Sequence, residues 1–585
     1  MILRRLLPAL FLLLSCAAAQ KTQPVDLVRA LEIPMRDGVK LKGTVYKPAA
    51  QAEPLPVIFT LTPYIGDTYH ERAYYFAQHG YVFVLVDVRG RGNSGGTFDP
   101  FAQEPHDGSD VVEFLAKQPW CNGKVAMWGG SYAGYDQWAT LKERPPHLAT
   151  VVPVAAAHAG VDFPFFRGIW GPYVIQWLTY TSDHTPNLNL FGQSSFWTEK
   201  FTEVYEKQLP FEQLDRVAGN TTTVFQKWLQ HPSYDAFWQA LAPTPAQYAA
   251  MSVPILTITG HYDGDQAGAM SYYREHMAYG NAAAREQHYL IIGPWDHAGT
   301  RTPRREVGGL TFGEASMLNM NDLHRQWYDW TMKNGPKPEF LKKHVAYYVV
   351  GPGAENWKYA DSLEAVASEH RKLYLTSHDS LAGDAFHSGE LAPAAAPSSP
   401  DAYVYDPRDL RPGRELEQED VARPLMDERY ALNLYGGGVV YHTAPFPEAT
   451  EISGYVRLAL WAAMDVPDTD FNVTLYEIRP DGSSIQLTSD ALRARYRKSL
   501  SEPELVKPGA IELYDFNGFT WFSRRVAKNS RLRLVITCPN SINSEKNYNS
   551  GGRVEAESGK DARVAHITIY HDQQHPSTLE IPVVK

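Results

Sequence analysis

The chain has 585 residues, more than one ordinary domain accommodates, so its length predicts two or three domains. Hydrophobic residues at 44%, aromatics at 12% and charged residues at 21% exclude a mainly disordered or collagen-like chain. With 55 basic and 66 acidic side chains the net charge is −11, so no basic field is available for a phosphodiester backbone, which argues against nucleic acid as a partner.

The chain opens on a targeting segment. Arg4 and Arg5 form a positive start, residues 6–14 an apolar run too short to span a bilayer, and small residues follow. Two cleavage readings stand side by side. Ala17-Ala18-Ala19 fits an ordinary signal peptide over 1–19; Leu13-Leu14-Ser15-Cys16 fits a lipoprotein signal over 1–15, with Cys16 carrying the lipid. Either predicts an exported protein, secreted or periplasmic, touching a membrane only through an anchor at Cys16. The other cysteines, Cys121 and Cys538, are too few and scattered for a disulfide framework or a thiolate zinc site.

An extended start over 31–46, turning at Arg36-Asp37-Gly38, leads into short apolar runs that read as buried parallel strands. These are 57–61, 82–86, 125–128, 151–154, 255–258 and 289–292, with helix-like stretches such as 110–118 between them. Alternating strands and helices imply an α/β sheet with right-handed crossovers. The alternation breaks over 160–248, a tryptophan-rich and mostly helical insertion expected to roof a ligand site. Leu323, Trp327 and Trp330 mark a last helix. Past Lys333-Asn334-Gly335-Pro336, short alternating segments beginning at 345–350 predict an all-β sandwich, with a flexible loop at 391–400. The expected domains are therefore 20–159 with 249–337, a cap at 160–248, and a sandwich at 338–585.

The most informative stretch is Val125-Ala126-Met127-Trp128-Gly129-Gly130-Ser131-Tyr132-Ala133-Gly134, an apolar strand, a tight turn on serine, then a helix. Small residues flank a nucleophile elbow because strand and helix approach closely there. The match departs from G-x-S-x-G, since Ala133 stands where the second glycine is usual. Serine needs a base, and the base an acid, in the chain order serine, acid, histidine. Gly260-His261-Tyr262-Asp263-Gly264 and Gly293-Pro294-Trp295-Asp296-His297 end the two later strands and supply Asp263 and His297, with Asp265 a rival acid. The backbone N–H of Tyr132 is the expected first oxyanion donor. The loop Thr62-Pro63-Tyr64-Ile65-Gly66 lacks a glycine run, so the Tyr64 phenol stands as a candidate second donor or a packing aromatic. No metal or cofactor is called for.

Gly129-Gly130-Ser131-Tyr132-Ala133-Gly134 resembles the G-x-S-Y-x-G signature of the cocaine-esterase and Xaa-Pro dipeptidyl-peptidase family (CocE/NonD type) of α/β-hydrolases. So do Met35-Arg36-Asp37-Gly38, Thr62-Pro63-Tyr64, the run from Asp87 to Gly96, Gln118-Pro119-Trp120, Gly293-Pro294-Trp295-Asp296-His297, the cap motif His231-Pro232-Ser233-Tyr234-Asp235, and, in the last third, Tyr403-Val404-Tyr405-Asp406-Pro407 and the run from Asp465 to Phe471. The resemblance implies an α/β-hydrolase domain with a helical cap and a C-terminal jelly-roll (galactose-binding-like) domain. It implies Ser131 as nucleophile, Asp263 as acid, His297 as base, and Tyr64 beside Tyr132 in the oxyanion hole. Members that hold a substrate ammonium use an Asp-x-Glu-Asp arrangement, whereas here the stretch is Asp263-Gly264-Asp265-Gln266. Asp162 of the cap is a further acid for such a role, and Trp170, Trp177 and Asp265 are expected to line the substrate pocket. The expected activity is serine-hydrolase cleavage of a small ester, an activated amide or a short peptide. Xaa-Pro dipeptidyl-peptidase or α-amino acid ester hydrolase is the alternative, and a vestigial binding protein the remote one.

Overall fold

The computed structural model describes residues 23–378, 381–396, 398–417 and 424–585. The targeting segment, with Cys16, lies outside them, as does part of the 391–400 loop. Ten strands form the first sheet: β1 (Val25–Pro34), β2 (Lys40–Pro48), β3 (Leu55–Thr62), β4 (Val82–Asp87), β5 (Cys121–Ser131), β6 (Leu148–Ala156), β7 (Ile255–Tyr262), β8 (His288–Asp296), β9 (Val345–Val349) and β10 (Asn356–Ala360). Their spatial order is β1-β2-β4-β3-β5-β6-β7-β8-β9-β10. From β4 to β9 all neighbours run parallel, while β1, β2 and β10 add antiparallel edges.

The near-continuous apolar character of these strands follows from burial on both faces. On β3, Val57, Phe59 and Leu61 enter one core and Ile58 the other. The helix Met320–Lys333 seals the second face, its Trp327 indole donating to Thr150 Oγ1 at 2.9 Å and its Tyr328 hydroxyl to the Met127 carbonyl at 2.9 Å.

β9 and β10 join the first sheet, although they follow the expected boundary at 338. Val345–Val349 pairs parallel with β8 and so belongs to the first sheet, although its short alternating pattern reads like the sandwich strands that follow. Such a run cannot show by itself which sheet receives it, because periodicity reports burial and not the partner. The all-β part begins with the strand Glu369–Thr376 and forms one 13-stranded, mostly antiparallel sheet around a core that includes Leu458, Leu475, Ile536 and Ile567.

Residues 160–250 form the cap, a two-stranded hairpin (Phe165–Phe166 with Ile169–Trp170) followed by short helices, among them Tyr173–Tyr180 and Ser194–Glu206. The cap touches the sandwich through Tyr205, whose hydroxyl donates to Asn540 Oδ1 at 2.8 Å, and through Ser233 and Tyr496, whose hydroxyls lie 2.9 Å apart. Among the described residues no helix is long and apolar enough to cross a membrane.

Candidate active site

β5 passes into the helix Tyr132–Glu143 through Ser131, at φ 63° and ψ −126°. A side-chain-bearing residue held there stores on the order of 1–3 kcal/mol of strain, which persists only where the surroundings fix it. A Cβ on Gly129 would lie 2.6 Å from the Ala133 Cβ, and one on Gly134 2.9 Å from the Ala156 Cα. Only hydrogen fits at either position, so the helix packs hard on the strand ends and the serine is left at the sheet edge. Gly129 also explains the departure at Ala133: it vacates the space that the extra methyl fills.

The Tyr132 side chain anchors this turn from beneath. Its hydroxyl donates to Glu104 at 2.6 Å and accepts from the Phe101 N–H at 2.5 Å. Burial pushes the Glu104 carboxyl up to about 7. The Tyr132 N–H, in the first turn of the helix, has no intrahelical acceptor.

Asp263 follows β7 and His297 follows β8, so both sit at the carboxyl edge that carries Ser131, where parallel sheets bind ligands. His297 Nδ1 lies 2.7 Å from Asp263 Oδ1 and 3.8 Å from Asp265 Oδ2. Distance therefore separates the two rival acids in favour of Asp263. Its carboxylate also accepts from Thr259 Oγ1 at 2.8 Å and from the Asp265 N–H at 3.0 Å. Burial opposes the Asp263 charge, but His297 and these donors hold the carboxyl below its ordinary value. Burial likewise works against a charged His297, yet the Asp265 and Asp263 carboxylates outweigh it and raise the imidazole. Asp265 is pushed up to about 6 by burial, against the attraction of His297. Asp296 is a turn carboxylate, accepting from the Gly299 N–H at 2.7 Å.

The Tyr64 hydroxyl and Ser131 Oγ share a hydrogen bond of 3.3 Å. The Trp177 indole N–H donates to the same phenol oxygen at 3.1 Å, which leaves the phenol proton free to face the serine. Burial drives the Tyr64 phenol far above its ordinary range, so it stays a neutral donor. Arg91 fixes both partners: its guanidinium donates to the Pro63 carbonyl at 2.8 Å and the Ser182 carbonyl at 2.7 Å, and also to the Asp183 carbonyl. One buried side chain thus ties the Tyr64 loop to the end of the Trp177 helix.

Ser131, His297, Tyr64, Tyr132, Trp177 and Asp265 all border one cavity of 290 Å³, with Asp162, Phe163 and Tyr173 of the cap. Trp170 does not, contrary to expectation. It is buried against Phe165 and Trp238 and faces a neighbouring cavity instead, because the hairpin turns its ring away from the sheet edge. Phe101, from the loop before the helix Glu104–Ala116, and Phe163 and Tyr173 of the cap were not singled out; in a chain rich in aromatics, type alone cannot show which rings reach the site. Asp162 is half-buried and accepts from the His158 N–H at 2.8 Å and the Gly268 N–H at 2.5 Å. Gln266, at the second carboxylate position of the ammonium-holding pattern, is turned elsewhere: it donates to the Trp521 carbonyl at 2.8 Å and accepts from the Trp521 N–H at 2.6 Å. That residue ties the sheet edge to the sandwich.

Two family models match the chain in succession. Residues 37–299 match the X-Pro dipeptidyl-peptidase (S15 family), and residues 339–580 match the X-Pro dipeptidyl-peptidase C-terminal non-catalytic domain. Over these two spans the chain is similar to the X-Pro dipeptidyl-peptidases, and it is a serine hydrolase. A cocaine esterase from Rhodococcus sp. (strain MB1 Bresler) is 25% identical over 94% of this chain and 98% of its own. Among solved structures, an α-amino acid ester hydrolase aligns with a TM-score of 0.82 at 22% identity, over 97% of this chain and 98% of its own. An aminopeptidase from a marine-sediment Thaumarchaeota archaeon gives the same score at 21% identity, over 100% and 99%. These two likenesses establish the shared fold, an α/β-hydrolase domain with a C-terminal all-β domain.

Proposed function

We propose that this serine hydrolase cleaves carboxylic esters and activated amides through an acyl-enzyme on Ser131. The observation that carries the reading is the convergence on one cavity of the Tyr64–Ser131 contact at 3.3 Å and the His297–Asp263 contact at 2.7 Å. Asp263 accepts the His297 Nδ1 proton and so keeps Nε2 free as a base. Nε2 takes the Ser131 proton as Oγ adds to the substrate carbonyl. The negative charge that develops on the carbonyl oxygen is met by the Tyr64 hydroxyl and the Tyr132 N–H. Collapse of the adduct expels the alcohol or amine, which takes the proton back from His297. Water then repeats the sequence and frees the acid.

Ser131→Ala is expected to abolish p-nitrophenyl ester hydrolysis and labelling by a fluorophosphonate while leaving the melting temperature near that of the parent. Undiminished turnover in that variant would overturn the assignment.

A second reading, acyl groups with a free α-amine, draws support from Asp162 and Asp265 on the same cavity wall. Both Asp162 oxygens already accept backbone N–H groups and Gln266 points away, so an ammonium would rest chiefly on Asp265. Hydrolysis of free against N-acetylated alanyl esters and Ala-Pro anilides separates the readings, since only the second requires the amine. The residues 1–19 support action after export, which fractionation of the producing cell tests.

A further inference from the structure

A larger cavity of 510 Å³ adjoins the one at Ser131. The two share Asp162, Phe163 and Tyr173, so they lie side by side against these residues. One wall is the cap hairpin with Trp170. The other is the outer face of three adjacent sandwich strands, β11 (Asp470–Ile478), β12 (Ser484–Arg493) and β13 (Arg531–Thr537). The opposite face of β11 puts Phe471, Val473 and Leu475 into the sandwich core.

What the strands present to the cavity is neutral and hydrogen-bonding: Asn472 and Thr474 from β11, Gln486 and Ser489 from β12, Thr537 from β13. No lysine or arginine lines it among the described residues, so nothing there compensates a carboxylate or phosphate. Three carboxyl groups border it, each already engaged within the protein: Asp162 accepts two backbone N–H groups, Glu417 accepts from the Tyr430 hydroxyl at 3.0 Å, and Glu428 accepts from the Tyr476 hydroxyl at 3.1 Å.

We infer that this compartment binds an uncharged polyhydroxylated group, a glycosyl unit, so that the enzyme takes esters in which a sugar is joined to the scissile acyl group. Amide and hydroxyl side chains both donate and accept, as neighbouring sugar hydroxyls require. Phe166 and Tyr173 offer ring faces for its C–H side. A peptide would ask for an open strand edge, and the cavity wall is a sheet face. The volume lies within the ~300–1,000 Å³ typical of small-molecule sites. The inference about substrate rests on the esterase reading; the binding claim does not.

The test uses the full chain with methyl β-glucoside as ligand and mono-O-acetyl methyl β-glucoside and p-nitrophenyl acetate as substrates. Ser489→Trp fills the compartment from a strand position whose fold is checked by melting temperature. The expected result is that methyl β-glucoside binds the parent, seen by calorimetry and tryptophan fluorescence, and that Ser489→Trp and Thr474→Val weaken it at least tenfold. The ratio of kcat/KM for the sugar ester to that for p-nitrophenyl acetate should fall by the same order. Glucoside binding without hydrolysis of either ester would keep the compartment and remove the esterase reading. Hydrolysis of p-nitrophenyl acetate with no glucoside binding, or with a ratio unmoved by Ser489→Trp, would overturn the inference.

Discussion

Asp263 and His297 are positioned by the sheet, whereas Tyr64 and Trp177 are positioned by the cap. Each of the first pair stands one residue beyond a parallel strand, and the ladder between β7 and β8 places them 2.7 Å apart. The second pair meets only because a cap helix lies over the loop after β3, braced by the Arg91 guanidinium. Groups fixed by strand ends are local consequences of topology. Groups that meet across an inserted layer depend on long-range packing, and weakening that packing misplaces them first.

The sheet side offers the sharpest break. Asp263→Asn should lower kcat about 10⁴-fold, because the amide no longer holds Nδ1 as the protonated nitrogen. A loss no larger than that in Asp265→Asn, measured on one p-nitrophenyl ester, would show that the nearer carboxylate is not the orienting one. On the cap side, Tyr64→Phe should cost about 10²–10³-fold in kcat with KM little changed, as expected for a donor that acts on the transition state.

Trp177→Phe keeps an aromatic ring and removes the pyrrole ring with its N–H. A net hydrogen bond of about 0.5–1.5 kcal/mol predicts a loss of about 2- to 12-fold in kcat. If Trp177 acts through Tyr64, that loss vanishes in the Tyr64→Phe background; a persisting loss means it acts on the acyl group directly. The smallest effect tests the electrostatics of the sheet side. The Asp265 charge stabilises the imidazolium of His297, and kcat/KM rises with pH as that imidazolium loses its proton. Asp265→Asn should therefore move the acid limb of the kcat/KM profile to lower pH. A limb that stays in place would assign the raised imidazole to Asp263 alone.

Legibility in the sequence follows the same division. Gly129, Gly130 and Gly134 around Ser131 announce an elbow because only small residues tolerate that approach of strand and helix. Asp263 and His297 were readable from their position after apolar runs. Trp170 and Trp177 looked alike, each an aromatic in an aromatic-rich insertion, yet one borders the serine and the other the adjoining compartment. The hairpin Phe165–Phe166 with Ile169–Trp170 makes that choice, and two residues per strand are too few to register as a pattern. Val345–Val349 was readable as a strand but not as a member of the first sheet.

The sequence by itself determined the order of elements, the strained serine, and the placing of Asp263 and His297 at strand ends, because these follow from near-neighbour sterics and from hydrophobic period. Only the tertiary structure decided which of two aspartates faces His297, which tryptophan donates to Tyr64, and that the sandwich face closes a second compartment beside the first. Those outcomes depend on where separate layers come to rest against one another, and side-chain directions across such contacts leave no periodic trace in the chain.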